Sequence, residues 1–230
     1  MDNRRAMAGS TLDNLVGNGV QGDRIKQTVE NVRNRPCGTT KNSISQGWDK
    51  GRFLALLGLS AKEDGTWIDD ISTVAYKKHK LKGGYENEVY VTKDGKSAVK
   101  LNNLNFLNDD DTQYENTRDI DYFIARLNAQ YELFPSCKYE IIGFAENSDI
   151  QTCIVLTQPF FEDAELSTIS RIFEWLEKGG FISTGMGRYS NGKYILSDIK
   201  PQNVLVDKNG DLRFIDLDIE IVKNPHKFDC

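Results

Sequence analysis

Three times along this chain, two short apolar runs are separated by a brief polar turn, and that pattern restricts the fold more than any other feature. "VYVTKDGKSAVKL" alternates apolar and polar residues around a central Asp-Gly, which predicts a β-hairpin of 88–91 and 97–101. "YEIIGFAE" and "TCIVLTQPF" flank "NSDI" and predict a second hairpin. "NVLVD" and "LRFIDLD" flank "DKNGD" at 207–211, where Asn-Gly suits a type I′ turn, and "KYILSD" supplies a further strand before them. Helical signals lie between these runs. Tyr122, Phe123, Leu127 and Tyr131 recur every three to four residues, in a helix closed by Pro135. "STISRIFEWLEKGGF" offers Ser167 or Thr168 as an N-cap, places Ile172, Phe173 and Leu176 on one face, and stops at Gly-Gly. Ile68, Ile71, Val74 and Ala75 predict an amphipathic helix over 68–78. Antiparallel strands beside segregated helices indicate an α+β protein.

The charge balance narrows the partners. A formal net charge of −5 with no long basic run argues against direct nucleic-acid binding or attachment to a membrane surface. No apolar stretch approaches the roughly 18 residues of a membrane span, and the N-terminus has no apolar core of a signal peptide. Cys37, Cys137, Cys153 and Cys230 are scattered and lie far from His79 and His226, so free thiols in a reducing cytoplasm are expected rather than a zinc site. Residues 1–45 are rich in Asn, Gly, Arg, Ser and Thr and are expected to be a mobile tail or linker, with at most a short helix near 24–33. Trp48, Trp67 and Trp175 read as packing residues, and the acidic run at 109–111 as a solvated helix start.

Several polar residues together match the requirements of phosphoryl transfer. That chemistry needs backbone N–H groups and a Lys for the phosphates, hard oxygen ligands for Mg²⁺, and an Asp that orients the accepting hydroxyl. Gly83 and Gly84 precede a strand, where backbone can approach a phosphate closely. Lys100 ends "SAVK" on the partner strand. In "LSDIKPQNVLVDKNGDLRFIDLD", Asp198 can orient a hydroxyl and Lys200 can neutralise the phosphate being moved, while Asn203 and Asp216 offer oxygen to Mg²⁺. Gln158 to Phe160, in a strand end followed by Pro and Phe, suit a connector whose backbone reads an adenine.

These motifs, in this order, resemble the protein kinase superfamily. Asn203 lies five residues after Asp198, and Asp216 thirteen after Asn203, as the kinase pattern requires. "GGYENEVYV", "AVKLNN", "ELFP", "IIGF", "VLTQPF" and "DIKPQNVLVDKNGDLRFIDLD" look more narrowly like the compact kinase-like domain of bacterial and phage polyvalent proteins, over roughly residues 66 to 222. The resemblance implies a minimal two-lobed protein-kinase-like fold with a truncated C-lobe, ATP and Mg²⁺ as cofactors, and a bacterial cytoplasmic setting. It divides the chain into a tail (1–45), a helical N-terminal extension (46–82), a β-rich N-lobe (83–158) and a truncated, largely helical C-lobe (159–230). It assigns Gly83, Gly84, Val89, Lys100, Gln158 and Phe160 to the nucleotide, Asp198 and Lys200 to catalysis, and Asn203 and Asp216 to the metal. The Glu that pairs with Lys100 is Glu115, with Asp119 one turn later as its rival.

The departures from the pattern also carry expectations. Leu196 and Ser197 stand where the family has His and Arg, Asn87 where it has a third glycine, and Asp218 where it has the Gly of "DFG". Fourteen residues follow Asp216, so no activation segment and no peptide-holding platform are expected. The reaction implied is transfer of the γ-phosphoryl group of ATP to a hydroxyl on an unidentified protein or small molecule. The alternatives are a catalytically silent nucleotide-binding pseudokinase and an interaction module of a mobile-element polyvalent protein.

Overall fold

The computed structural model describes residues 12–34, 50–81, 86–104 and 120–222. The chain divides into two compact units, Met1–Ile124 with Tyr139–Phe160, and Ala125–Lys138 with Phe161–Cys230. Helices and antiparallel sheets make the protein α+β, as expected.

The first unit begins with helices α1 (Val20–Asn34) and α2 (Lys50–Glu63), followed by strands β1 (Tyr76–Leu81), β2 (Asn87–Val91) and β3 (Ser97–Asn102). Helix α3 (Ile120–Leu133) starts in this unit, and strands β4 (Glu140–Glu146) and β5 (Thr152–Pro159) complete it. The strands form one antiparallel sheet in the order β1-β2-β3-β5-β4. Both predicted hairpins are present, β2–β3 and β4–β5. Alternation then sorts the side chains by face. Tyr90, Val99, Leu101, Cys153 and Val155 lie in one core cluster with Ala75 and Ala145, against which Ile68, Ile71 and Val74 pack.

The predicted helix over 68–78 does not form. Asp70 accepts the Ser72 N–H and caps a single 3₁₀ turn, Ile71–Thr73, after which the chain enters β1. The apolar residues do reach the core. However, β-branched Ile71, Thr73 and Val74 with a local Asp turn favour exit from the helix, and pairing with β2 supplies the backbone bonds.

The expected tail is also corrected for residues 12–34. Leu12, Leu15, Val16, Ile25, Val29 and Val32 are all buried. Val16 bridges Ile141 in parallel, and the Ile141 N–H donates to the Leu15 carbonyl at 2.6 Å, so this segment covers the outer edge of β4. Helix α1 packs on α2 and β4, and Thr28 and Asn31 hydrogen-bond the Asp64 carboxylate. The apolar residues are few, but Ile25, Val29 and Val32 fall on one helical stripe, so a low average hid a complete packing face. The rest of the expected tail lies outside the described residues.

At Gly143 the sheet needs the absence of a side chain. Its φ is +156°, and a Cβ there would meet the Thr66 carbonyl oxygen at 2.7 Å. That oxygen accepts the Phe144 N–H at 3.1 Å and ties the chain after α2 to β4.

The second unit holds the C-terminal part of α3, then β6 (Glu165–Leu166), α4 (Ile169–Lys178), β7 (Ile182–Gly185), β8 (Arg188–Ser190), β9 (Tyr194–Ser197), β10 (Val204–Val206), β11 (Leu212–Phe214) and β12 (Asp218–Ile221). Among the described residues it is mainly β rather than largely helical. It contains a three-stranded sheet, β11-β10-β6, and a four-stranded sheet, β12-β9-β8-β7. Runs such as "ISTG" and "RYS" are too short to signal a strand alone and become strands by pairing. Thr168, not Ser167, caps α4 by accepting the Arg171 N–H. Ile172 and Leu176 are buried, whereas Phe173 is half exposed and stands 6.1 Å from the Tyr189 ring. Phe134 and Phe214 stack in the core, and the partly buried Trp175 packs against both with its ring tilted.

The third predicted hairpin, β10–β11, is present, but its turn is not type I′. Only Gly210 takes a positive φ, +84°, while Asn209 does not. The Gly210 N–H donates to the Asp207 carbonyl at 2.8 Å, which makes a tight turn closed by a left-handed glycine.

Candidate functional site

In the second unit, the loop between β9 and β10 carries three of the predicted residues, Asp198, Lys200 and Asn203. Asp198 leaves β9 with a φ of +55°, a left-handed conformation that is costly for a residue with a Cβ. Its carboxylate accepts from Lys200 Nζ at 2.7 and 3.0 Å and from Asn203 Nδ2 at 2.8 Å. Asn203 ends the 3₁₀ turn Pro201–Asn203 and is buried. Its Nδ2 also lies 2.9 Å from the carbonyls of Asp198 and Asp216. Three surrounding oxygens fix the amide nitrogen inward and leave Oδ1 as the acceptor of the amide. The Ile215 N–H donates to the Asn203 carbonyl at 3.0 Å, so backbone and side chain together lock this loop to the segment carrying Asp216.

Two nearby carboxylates differ in their surroundings. Asp216 is exposed. Asp218 is engaged: Arg126 Nη2 lies 2.8 Å from its Oδ1, and Ser197 Oγ donates to its Oδ2 at 3.2 Å. Ser197, which stands where the family pattern has Arg, therefore serves β12 here. Among the described residues no cluster of three or more His, Cys, Asp and Glu gathers as a metal site. A Mg²⁺ site needs no such cluster, because that ion takes one or two protein oxygens and completes its shell with phosphate and water.

In the first unit, sheet register collects the other predicted residues. Val89 pairs with Lys100, and Lys100 with Leu156, so all three share one face. Gln158, two residues after Leu156 and paired with Ala98, lies on the same face and is buried. This face is opposite the one that carries Tyr90, Val99 and Leu101. Lys100 is only 6% exposed, and its Nζ donates to the Tyr139 hydroxyl at 2.8 Å. Nothing in the sequence pattern singled out Tyr139. Its one signal was a hydroxyl-bearing aromatic at the entry to a strand, and only the β4–β5 register brings it to Lys100.

The Phe160 N–H donates to the Lys96 carbonyl at 2.9 Å, so a base would have to displace that bond to use the N–H. Gly83, Gly84, Glu115 and Asp119 lie outside the described residues.

The strand bearing Val89 is held from its other face. Burial pushes the Glu88 carboxyl up, but hydrogen bonds from Ser148 and Tyr90 outweigh it and leave Glu88 below the usual carboxylate range. Burial, with the Glu88 carboxylate adding to it, pushes the Tyr90 hydroxyl up to about 12. Glu88 thereby anchors β2 to the turn between β4 and β5.

The family of serine/threonine/tyrosine kinases found in polyvalent proteins matches residues 54–223. A comparison with curated proteins gave no match. The family match spans well over half of the chain, and the chain belongs to that family.

Proposed function

We propose that this member of the polyvalent-protein kinases is an ATP- and Mg²⁺-dependent phosphotransferase with a minimal two-lobed kinase-like fold. The observation that carries the reading is the position of the Asn203 side chain. One amide nitrogen binds the carboxylate and carbonyl of Asp198 and the carbonyl of Asp216. It thus couples the group that would orient an acceptor to the group that would hold a metal. A decorative hairpin has no use for such a bridge, nor for a left-handed Asp at its start.

In this reading Lys100 holds the α- and β-phosphates, paired with Glu115, with Val89 and Gln158 on its face of the sheet and Gly83 and Gly84 before it. Asp198 accepts the proton of the attacking hydroxyl as that oxygen bonds the γ-phosphorus and the bond to the β-bridging oxygen breaks. Lys200, already at the Asp198 carboxylate, moves its charge toward the transferring phosphoryl group. Asn203 Oδ1 and Asp216 would hold Mg²⁺, which neutralises charge on the phosphates when bound. The acceptor is a hydroxyl of a small molecule or protein.

The test is transfer of labelled γ-phosphate by wild type and by Asp198→Asn. Asn tolerates the left-handed conformation and is nearly isosteric, so it removes the base without the backbone cost that Ala would add. Activity should fall at least about 100-fold. Wild type that binds ATP without transferring phosphate would favour the silent nucleotide-binding alternative. Wild type with no response to ATP would favour an interaction module.

A further inference from the structure

We infer that Tyr139 is a positioning residue for Lys100, setting the direction of its ammonium toward the nucleotide phosphates; the inference rests on the phosphotransferase reading. Lys100 lies in the interior of the first unit, where an ammonium needs oriented acceptors to remain charged. Tyr139, itself only 8% exposed, supplies one through its hydroxyl at 2.8 Å. Nζ lies 5.0 Å from the ring centroid, much farther than from the oxygen. The ammonium is therefore held at the hydroxyl end of the ring, as a hydrogen-bond donor, rather than centred over its face.

The scaffold explains why this contact has direction. Ile141, Leu156 and Lys100 form one cross-strand row, and Tyr139 stands two residues before Ile141, where the chain enters β4. Its backbone position is set by the register of the sheet. Cys137 N–H donates to the Phe134 carbonyl at 2.8 Å and closes the turn that delivers the chain to Tyr139. A lysine has four rotatable side-chain bonds and a carboxylate partner alone would attract it without choosing one rotamer. A buried hydroxyl at a fixed point selects a rotamer before any nucleotide arrives, which lowers the ordering cost of binding. The role is distinct from that of the carboxylate expected at Glu115, which supplies charge.

The experiment uses the full chain as wild type, Tyr139→Phe, Lys100→Met and the double variant. Tyr139→Phe keeps the ring and removes only the hydroxyl. ATP–Mg²⁺ affinity, measured by calorimetric titration, should weaken about tenfold in Tyr139→Phe. In the Lys100→Met background the same change should have almost no effect. A second measurement needs no nucleotide: trinitrobenzenesulfonate labelling of Lys100, followed by peptide mass spectrometry. Its rate should change several-fold in Tyr139→Phe while the other lysines keep theirs. Equal losses of affinity with and without Lys100, or an unchanged Lys100 labelling rate, would overturn the proposal. Should wild type bind no ATP, the phosphotransferase reading falls on that result, and the nucleotide-free labelling rate still decides whether Tyr139 governs Lys100.

Discussion

Asp216 and Asp218 are two residues apart and both acidic, with Asp218 opening β12, yet their environments differ. Asp218 is bonded to Arg126 and Ser197, while Asp216 is exposed and lends its carbonyl to Asn203. Asp216→Ala should therefore abolish Mg²⁺-dependent stabilisation by ATP and leave the melting temperature of the nucleotide-free protein nearly unchanged. Asp218→Ala should do the reverse. It takes a partner from Arg126, whose side chain is 17% exposed, and should cost about 1–3 kcal/mol in urea denaturation while metal-dependent stabilisation persists. The opposite ranking would mean that the metal ligand has been misassigned. At this scale the spacing of Asp198, Lys200, Asn203 and Asp216 was legible in the sequence, because a short loop must bring such near neighbours together. The link from Arg126 to Asp218 was not, since it depends on where a distant helix lies.

Elements add a second kind of specificity, the covering of exposed edges and the tying of ends. The segment before α1 lies on β4 through Leu15, which has no exposed surface. Leu15→Ala should cost about 2–4 kcal/mol, read as a lower urea midpoint with the slope preserved. A change under 0.5 kcal/mol would show that the segment is dispensable. Within the second unit, the end of α3 is tied to β9 by Glu132, which accepts from Lys193 Nζ and from the Tyr194 hydroxyl. These bonds, the one from Lys193 first, hold the Glu132 carboxyl below its ordinary value of 4.5. Lys193, bonded to Glu132, is pushed up to about 12. A carboxyl lowered by folding adds stability above its unfolded value, and that contribution disappears as pH falls through the folded value. Glu132→Gln should therefore melt below wild type at pH 7, and the gap should close as pH drops below 4.5. A gap that stays constant down to pH 3 would assign the effect to packing instead.

For the whole molecule, the family membership and the residue set lead to one global expectation. A ligand that binds only the folded chain stabilises it by about 2.7 kcal/mol at 100 times its dissociation constant. For a chain of this length, that raises the melting temperature by about 5–10 °C. ATP with Mg²⁺ should produce such a rise, ATP with a chelator should produce less, and Lys100→Met should remove most of it. An unchanged melting curve at millimolar ATP would exclude the nucleotide-binding readings together. Among the described residues no helix is long and apolar enough to cross a membrane.

The sequence by itself determined the features that close over a few residues. The three hairpins, the cap and stop of α4, and the Asp198–Asn203 loop are all written in neighbouring side chains and turn residues, and local sterics decide them. Tertiary structure decided what local signals left balanced. The apolar residues at 68–75 matched a helix in spacing, but the Asp70 turn and the β1–β2 ladder after it left them in a 3₁₀ turn and the approach to β1. The stripe of α1 looked too sparse to pack until α2 and the edge of β4 were there to receive it. Lys100 and Tyr139 are 39 residues apart, and no periodicity joins them. Their contact follows from register across three strands, in which a slip of one residue would turn every side chain to the other face.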